Sequence, residues 1–380
     1  MRIAIIGGKL QGVEAAYLAR KAGFETLLID KNPNAPALSL CDSFLVFEFT
    51  HETPFPRSCP QIDLILPALE DDGVLFFLEE WSRICGISLA FDGNAYAISS
   101  SKIKSDALFL EMKLPAPKPW PLCSFPVIIK PDQSSGSRGV EIIKSKAEFH
   151  ERFPEGNKPD GYVIQEYIEG PSYSIEVLGR PGAYQALQVT DLGMDKDWDC
   201  NLVTAPTRLI EKEEKRFKEM AVELATALKL TGIMDLEVIL HNGELKLLEI
   251  DARLPSQTPM AVYSSTGINM VALIADLFCG VIAPPIPLKD CCALIEHIRV
   301  NGSIIEFPGE HIMAQYGLLF LKKDFFGADE AVTSFTEGKK SWVATMIFTG
   351  PSFEDIEKRR AACYNRIKKA STEQMKDQSP

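Results

Sequence analysis

Two short stretches hold the densest set of chemically capable side chains: Gly232-Ile233-Met234-Asp235-Leu236-Glu237 and Leu247-Leu248-Glu249-Ile250-Asp251-Ala252-Arg253. Both alternate charged with apolar residues, the period of a β-strand. Asp235 and Glu237 therefore share one sheet face, and Glu249, Asp251 and Arg253 share one face of the second strand. His241-Asn242-Gly243 between them reads as a tight turn. If the hairpin aligns those faces, carboxylates and a guanidinium meet on one surface. Like charge at that density is costly unless a cation neutralises it, and carboxylate oxygens are hard ligands that suit Mg²⁺. Magnesium beside a fixed arginine is equipment for phosphoryl transfer, where catalysis is mostly positioning and charge stabilisation. The same residues also fit a hairpin whose acids face only water.

A second constellation lies upstream. Phe125–Pro131 reads as a strand ending at Lys130, followed by Asp132-Gln133-Ser134-Ser135-Gly136-Ser137-Arg138-Gly139. Small residues let backbone N–H groups approach phosphate oxygens, and the hydroxyls of Ser134, Ser135 and Ser137 add donors between Gly136 and Gly139. Lys130 and Arg138 bracket that loop with positive charge. Earlier, Lys102 and Lys104 open a helix over 105–112; later, Gln165-Glu166-Tyr167-Ile168 forms a β-run whose backbone suits an adenine edge. Each feature alone is compatible with ordinary surface charge. Their order, with lysine, strand lysine, Gly/Ser loop, linker and acidic hairpin in succession, is that of one nucleotide clamp.

The elements that must position these residues fall into three segments. The first alternates strand and helix: Ile3–Ile6, a helix over 11–22, Glu25–Ile29, Phe44–Phe47, Leu64–Leu66 and a helix over 72–85. That is the βαβ rhythm of a parallel sheet covered on both faces, with ligand positions at strand ends near Lys9–Gly12, Asp30, Phe49-Thr50 and Pro67–Asp72. The fold class expected is α/β and α+β. An N-terminal Rossmann-like domain (1–97) precedes a second region (98–285), whose central part, about 118–178, follows a Pro-rich connector at 114–121. A C-terminal α+β domain (286–370) and a polar tail (371–380) complete it. A dinucleotide fingerprint starting at Gly7 fails, because Lys9 occupies its second glycine. A Walker loop fails as well, since Val13 follows Gly12 where lysine is required.

Composition narrows the remaining classes. A net charge of −12 without a basic stripe argues against nucleic acid. The nine cysteines form no CxxC pair, which argues for reduced thiols in a cytoplasmic compartment. The five histidines show no HExxH spacing, which argues against a zinc hydrolase. No signal-peptide pattern opens the chain and no apolar run reaches transmembrane length, so no membrane partner is expected.

With those motifs in place, the chain resembles the ATP-grasp carboxylate–amine ligases, collinearly from the N-terminus to about Arg253. The resemblance implies a nucleotide held between two α+β subdomains and a carboxylate that is phosphorylated and then captured by an amine, with ATP and Mg²⁺ as cofactors. By position it implies ATP contacts at Lys102, Lys104, Lys130, Ser134, Ser135, Gly136, Ser137, Gly139 and Gln165 to Ile168. It implies magnesium ligands at Glu237, Glu249 and Asp251, and places Arg253 beside the transferred phosphoryl group, with Asp251 also catalytic. Two departures stand out. Asp251 replaces the usual Asn ligand, and Gly170-Pro171-Ser172-Tyr173 lacks the usual ribose-contacting Glu. Ribose recognition then shifts to Glu169, or Ser172 serves the substrate.

More closely, Ile5–Gly12, Pro67–Gly73 and Glu249–Gln257 are similar to the ligases of pyrrolysine biosynthesis that join 3-methyl-D-ornithine to L-lysine. That likeness implies small amino-acid partners (3-methyl-D-ornithine or D-ornithine, and L-lysine). The implied substrate contacts are Gln11, Gly12, Glu70, Asp72, Ser172, Ser174, Asp235, Arg253 and Ser256. A homodimer is compatible with it. Glu70, Asp71 and Asp72 equally suit capping of the helix that follows. Competing expectations are a nucleotide sensor without chemistry, an oxidoreductase using the N-terminal turn, and an ATP-grasp ligase or carboxylase with another substrate.

Overall fold

The computed structural model describes residues 1–49, 61–133, 136–154, 160–280 and 290–376. The chain divides into two compact units. One comprises Met1–Phe91, Cys200–Pro206 and Arg253–Pro380; the other comprises Asp92–Asp199 and Thr207–Ala252. The 281–289 stretch, where the sequence reading sets a domain boundary, lies outside the described residues, as does Thr50.

The first unit opens with the expected parallel sheet. Its five strands are ordered Ser43–Val46, Glu25–Asp30, Arg2–Ile6, Leu64–Pro67 and Ser88–Leu89. Central strands of such a sheet are buried on both faces, and Ile3, Ile5, Ile6, Leu28 and Ile29 are fully buried. Gly7, at φ +99°, turns the first strand into the helix Leu10–Lys21, and the Gly8 N–H donates to Asp30 Oδ2 at 2.6 Å. A Cβ on Gly12 would lie 2.2 Å from the Gly7 carbonyl oxygen, so helix and turn approach as closely as they do only because residue 12 is glycine. The helix Asp72–Cys85 is capped by Asp71, whose carboxylate accepts from the Val74 N–H at 3.0 Å.

The same unit holds an antiparallel sheet in the order Cys200–Ala205, Cys292–Asn301, Ser341–Gly350, Glu330–Thr333, Phe320–Lys323. Its core is Trp342, Phe348, Ile298 and Phe325, closed by Ile356, Tyr364 and Ile367 of the final helix Phe353–Lys376. That helix is locked by Arg360, which meets Glu296 at 2.5 and 2.7 Å, and by Tyr364, whose hydroxyl donates to the same carboxylate. It runs past Ser371, where the sequence reading begins a polar tail, because no Gly or Pro interrupts the chain as far as Lys376.

The second unit contains two sheets. The larger orders Glu244–Asp251, Gly232–His241, Ser172–Arg180 and Thr190–Met194, all antiparallel, with Ala183–Ala186 paired to Ser172–Arg180. One face packs Ile175, Leu236, Val238 and Ile250 against Phe217, Met220 and Leu224 of the helix Glu211–Leu228. Each such side chain removed from water contributes roughly 1.5–3 kcal/mol, which sets the alternation firmly: apolar residues inward, charged residues on the opposite face. The smaller sheet orders Glu141–Ile143, Val127–Pro131 and Tyr162–Glu166 around Phe149 and Val127. Among the described residues no single helix is long and apolar enough to cross a membrane.

Candidate active site

The acidic hairpin forms as its alternation requires, Gly232–His241 and Glu244–Asp251 meeting at an Asn242-Gly243 turn. Its register is what concentrates charge. Glu237 pairs with Glu249 and Asp235 with Asp251. On the other side, Glu237 pairs with Ser174 and Asp235 with Glu176. Directly opposed residues share a face. Two polar rows therefore cross three strands: Ser174–Glu237–Glu249 and Glu176–Asp235–Asp251. A register shift after Glu237 absorbs the extra apolar Leu248 and lets the acids stay opposed on the side of the hairpin away from its turn.

Glu176, fully buried, and Ser174, 1% exposed, complete those rows. Sequence reasoning missed Glu176, although the alternation Ser172-Tyr173-Ser174-Ile175-Glu176 carries its signal. The donor set is entirely carboxylate and hydroxyl oxygen, which fits Mg²⁺ and not a softer thiolate- or imidazole-seeking ion.

Cations approach this face from two elements of the same unit. Ser101 caps the helix Lys102–Glu111, and Lys102 Nζ lies 3.8 Å from Glu249 Oε2. Lys130, on the strand Val127–Pro131, is held below the ordinary lysine value by burial; Glu249, Asp106 and Glu237 oppose that shift and Lys102 adds to it. Lys104 is not brought to the cluster. Two residues after Lys102 on a helix, it points elsewhere, and its Nζ donates to the Ala97 carbonyl at 2.9 Å.

The Gly/Ser loop is described from Gly136 onward, and Ser134 and Ser135 lie outside the described residues. Gly136, Ser137 and Gly139 all have positive φ, at 62°, 54° and 75°, and Ser137 Oγ donates to the Trp198 carbonyl at 3.0 Å. In the linker, Ile168 is buried and the Tyr167 N–H bonds Pro126 O at 3.2 Å. Glu166 accepts from the Lys118 N–H at 3.3 Å and stands 3.5 Å from Lys246 Nζ. Gln165 is 2% exposed, so its side chain is engaged inside the protein.

In the first unit, the Arg253 guanidinium meets Glu70 Oε1 at 2.6 Å, and Gln11 Nε2 donates to the same oxygen at 3.0 Å. The three consecutive acids thus divide their work. Asp71 caps the helix, Glu70 binds Arg253 and Gln11, and Asp72 sits exposed in the first helical turn. Gly12 is accounted for by its contact with Gly7. Ser256 Oγ and Gln257 Nε2 both donate to Glu310 Oε1, at 2.9 and 3.4 Å. Glu310, 4% exposed, is a further carboxylate beside a predicted site residue that no local pattern announced.

Comparison with known proteins agrees with this architecture. Residues 100–257 match the ATP-grasp domain model, and residues 3–88 match the model described as PylC-like, N-terminal domain. The 3-methyl-D-ornithine–L-lysine ligase of Methanosarcina mazei is 36% identical over 365 residues, covering 94% of this chain and 93% of that protein. Among solved structures, N5-carboxyaminoimidazole ribonucleotide synthetase from Thermus thermophilus superposes with a TM-score of 0.69 at 17% identity, covering 95% of this chain and 97% of the other. The biotin carboxylase domain dimer of Hydrogenobacter thermophilus 2-oxoglutarate carboxylase, solved with MgADP and bicarbonate, gives 0.68 at 14% identity, covering 95% and 89%. At these identities the two structures speak to fold alone.

Proposed function

The chain belongs to the ATP-grasp ligases, in the family of the 3-methyl-D-ornithine–L-lysine ligases, and from that premise we propose that it activates the carboxylate of 3-methyl-D-ornithine and joins it to the side-chain amine of L-lysine. It is an ATP-dependent carboxylate–amine ligase. The observation that carries the reading at residue level is the pair of opposed acidic rows, with Lys102 3.8 Å from Glu249 and Lys130 charge-coupled to the same carboxylates.

Glu237, Glu249 and Asp251 are the residues that would hold Mg²⁺, which when bound neutralises phosphate charge and orients the triphosphate. Lys102 and Lys130 grip phosphate oxygens, and the Gly136–Gly139 turn offers backbone N–H groups from its positive-φ residues. The substrate carboxylate attacks the γ-phosphorus, ADP leaves, and the acyl-phosphate is captured by the amine with loss of inorganic phosphate. Arg253 stabilises negative charge in both steps.

The amine sets an energetic requirement. A lysine ammonium has a pKa near ~10.4, so presenting its neutral form at pH 7 costs about 4–5 kcal/mol. A carboxylate that accepts the proton offsets this, and Asp235 and Asp251, opposed across the hairpin, are the two candidates. Glu70 and Gln11 supply the polar contacts for a substrate α-ammonium and carboxylate in the first unit.

The test is purified protein with Mg-ATP, L-lysine and either 3-methyl-D-ornithine or D-ornithine, read by product mass and ADP release. The expected result is one amide, ADP and phosphate in equal amounts. ADP release that ignores both amino acids, or an absence of any condensation product, would overturn the substrate assignment.

A further inference from the structure

We propose that Asp106 is a positioning residue for nucleotide binding, acting through Gln165 on Lys130; this rests on the Mg-ATP reading above. Gln165 lies on the strand Tyr162–Glu166, paired with Ile128 of the strand that carries Lys130, and is 2% exposed. The amide orientation that satisfies both neighbours has Gln165 nitrogen donating to Asp106 Oδ2 at 3.1 Å and its oxygen accepting from Lys130 Nζ at 3.3 Å. The opposite orientation would face an NH₂ group to an ammonium and a carbonyl to a carboxylate. Both contacts would then repel inside the protein, where an unmatched polar group is expensive. Asp106 therefore selects the amide orientation, and the amide oxygen aims the lysine.

The placement of Asp106 follows from helix geometry. It stands four residues after Lys102 on the helix Lys102–Glu111, so both project from one face. That face sends Lys102 towards Glu249 and Asp106 towards Gln165, one helix thereby setting both cations. A neutral amide next to Lys130 has a further merit. It holds the ammonium without placing a full negative charge where a triphosphate must come. The acid that fixes the amide stays one side chain further back.

The experiment uses the full-length protein with Mg-ATP and both amino acids, and measures KM for ATP, kcat, the amino-acid KM values and thermal unfolding. Asp106→Ala is expected to raise KM for ATP about tenfold, the scale of one hydrogen bond to a charged group. Because Lys130 grips ground state and transition state alike, kcat and the amino-acid KM values should stay within about twofold. Asp106→Asn should restore KM for ATP, since its carboxamide oxygen still accepts from Gln165. Gln165→Met should reproduce the Asp106→Ala effect, and the double variant should be no worse than Gln165→Met alone.

An unchanged KM for ATP in Asp106→Ala would overturn the proposal, as would equal loss in Asp106→Asn, additive effects in the double variant, or a fall confined to kcat. Should Asp106→Ala not fold, Asp106→Asn and Gln165→Met decide the matter between them. Wild-type protein that neither binds nor turns over Mg-ATP would instead remove the ATP reading itself, a result separable from indistinguishable kinetics in an active wild type and its variant.

Discussion

Replacing Glu249 by Gln separates folding from chemistry, and the geometry allows both magnitudes to be worked out. Glu249 stands among opposing charges: an attraction to Lys102 Nζ at 3.8 Å, reinforced by Lys130, and a repulsion from Glu237, its directly opposed partner. At an effective dielectric of ~20 the attraction is about 4 kcal/mol gross, and a carboxylate pair roughly 5 Å apart repels by about 3 kcal/mol. The Glu249 side chain is 37% exposed, so solvent screens both severalfold. The neutral amide of the Glu249→Gln variant would lose both together. The net change in stability is therefore within about 1 kcal/mol, a shift of no more than ~2–4 °C in melting temperature.

Turnover responds differently. A neutral amide is a weak ligand for a divalent cation, and losing one preorganised charge at the reacting phosphates lowers kcat on the order of 10²–10³-fold. The assay is ADP release at saturating Mg-ATP and amino acids, paired with thermal unfolding with and without Mg²⁺. The wild type should gain stability from Mg²⁺ by mass action and Glu249→Gln should gain less. Turnover within about fivefold of wild type would refute the metal role for Glu249, because no plausible metal ligand is lost so cheaply.

Four further outcomes are expected. Binding of a non-hydrolysable ATP analogue, followed by calorimetry, should weaken as pH rises, starting below the ordinary lysine range, because burial holds Lys130 below its usual value. Lys102→Met should move that loss to higher pH by removing a neighbouring cation. Arg360→Met should destabilise the first unit by roughly 3–5 kcal/mol in urea unfolding, since it strands the buried Glu296 carboxylate; a loss under ~1 kcal/mol would show that Tyr364 alone suffices. Gly12→Ala should cost about 1–3 kcal/mol in the same measurement, the range for overpacking, because its Cβ would sit 2.2 Å from a backbone oxygen that cannot rotate away.

Several of these positions show where sequence reasoning works and where it stops. The acids of the hairpin are legible because a strand's two-residue period assigns faces, and an Asn-Gly turn between two such runs brings the strands together. The helix Asp72–Cys85 is legible to its termini for a similar reason: an acidic run opens it and Gly86, in the left-handed conformation, ends it. Lys104 is misplaced when its proximity in sequence to Lys102 outweighs helical periodicity, which sends neighbours two apart to different faces. Gln165 reads as part of an adenine linker, whereas its buried side chain meets Asp106 and Lys130. Those residues come from separate strands and a helix, so nothing local announces their meeting.

By itself, then, the order of residues determined which elements form and which face of each carries charge, because both depend on interactions between near neighbours and on the cost of burying an unpaired charge. Tertiary structure alone decided the rows that unite Glu176, Asp235 and Asp251, the division of labour among Glu70, Asp71 and Asp72, and the company that Gln165 and Glu310 keep. The physical reason is that register and helix rotation are set by the packing of apolar faces over the whole unit, and the polar groups meet where that packing leaves them.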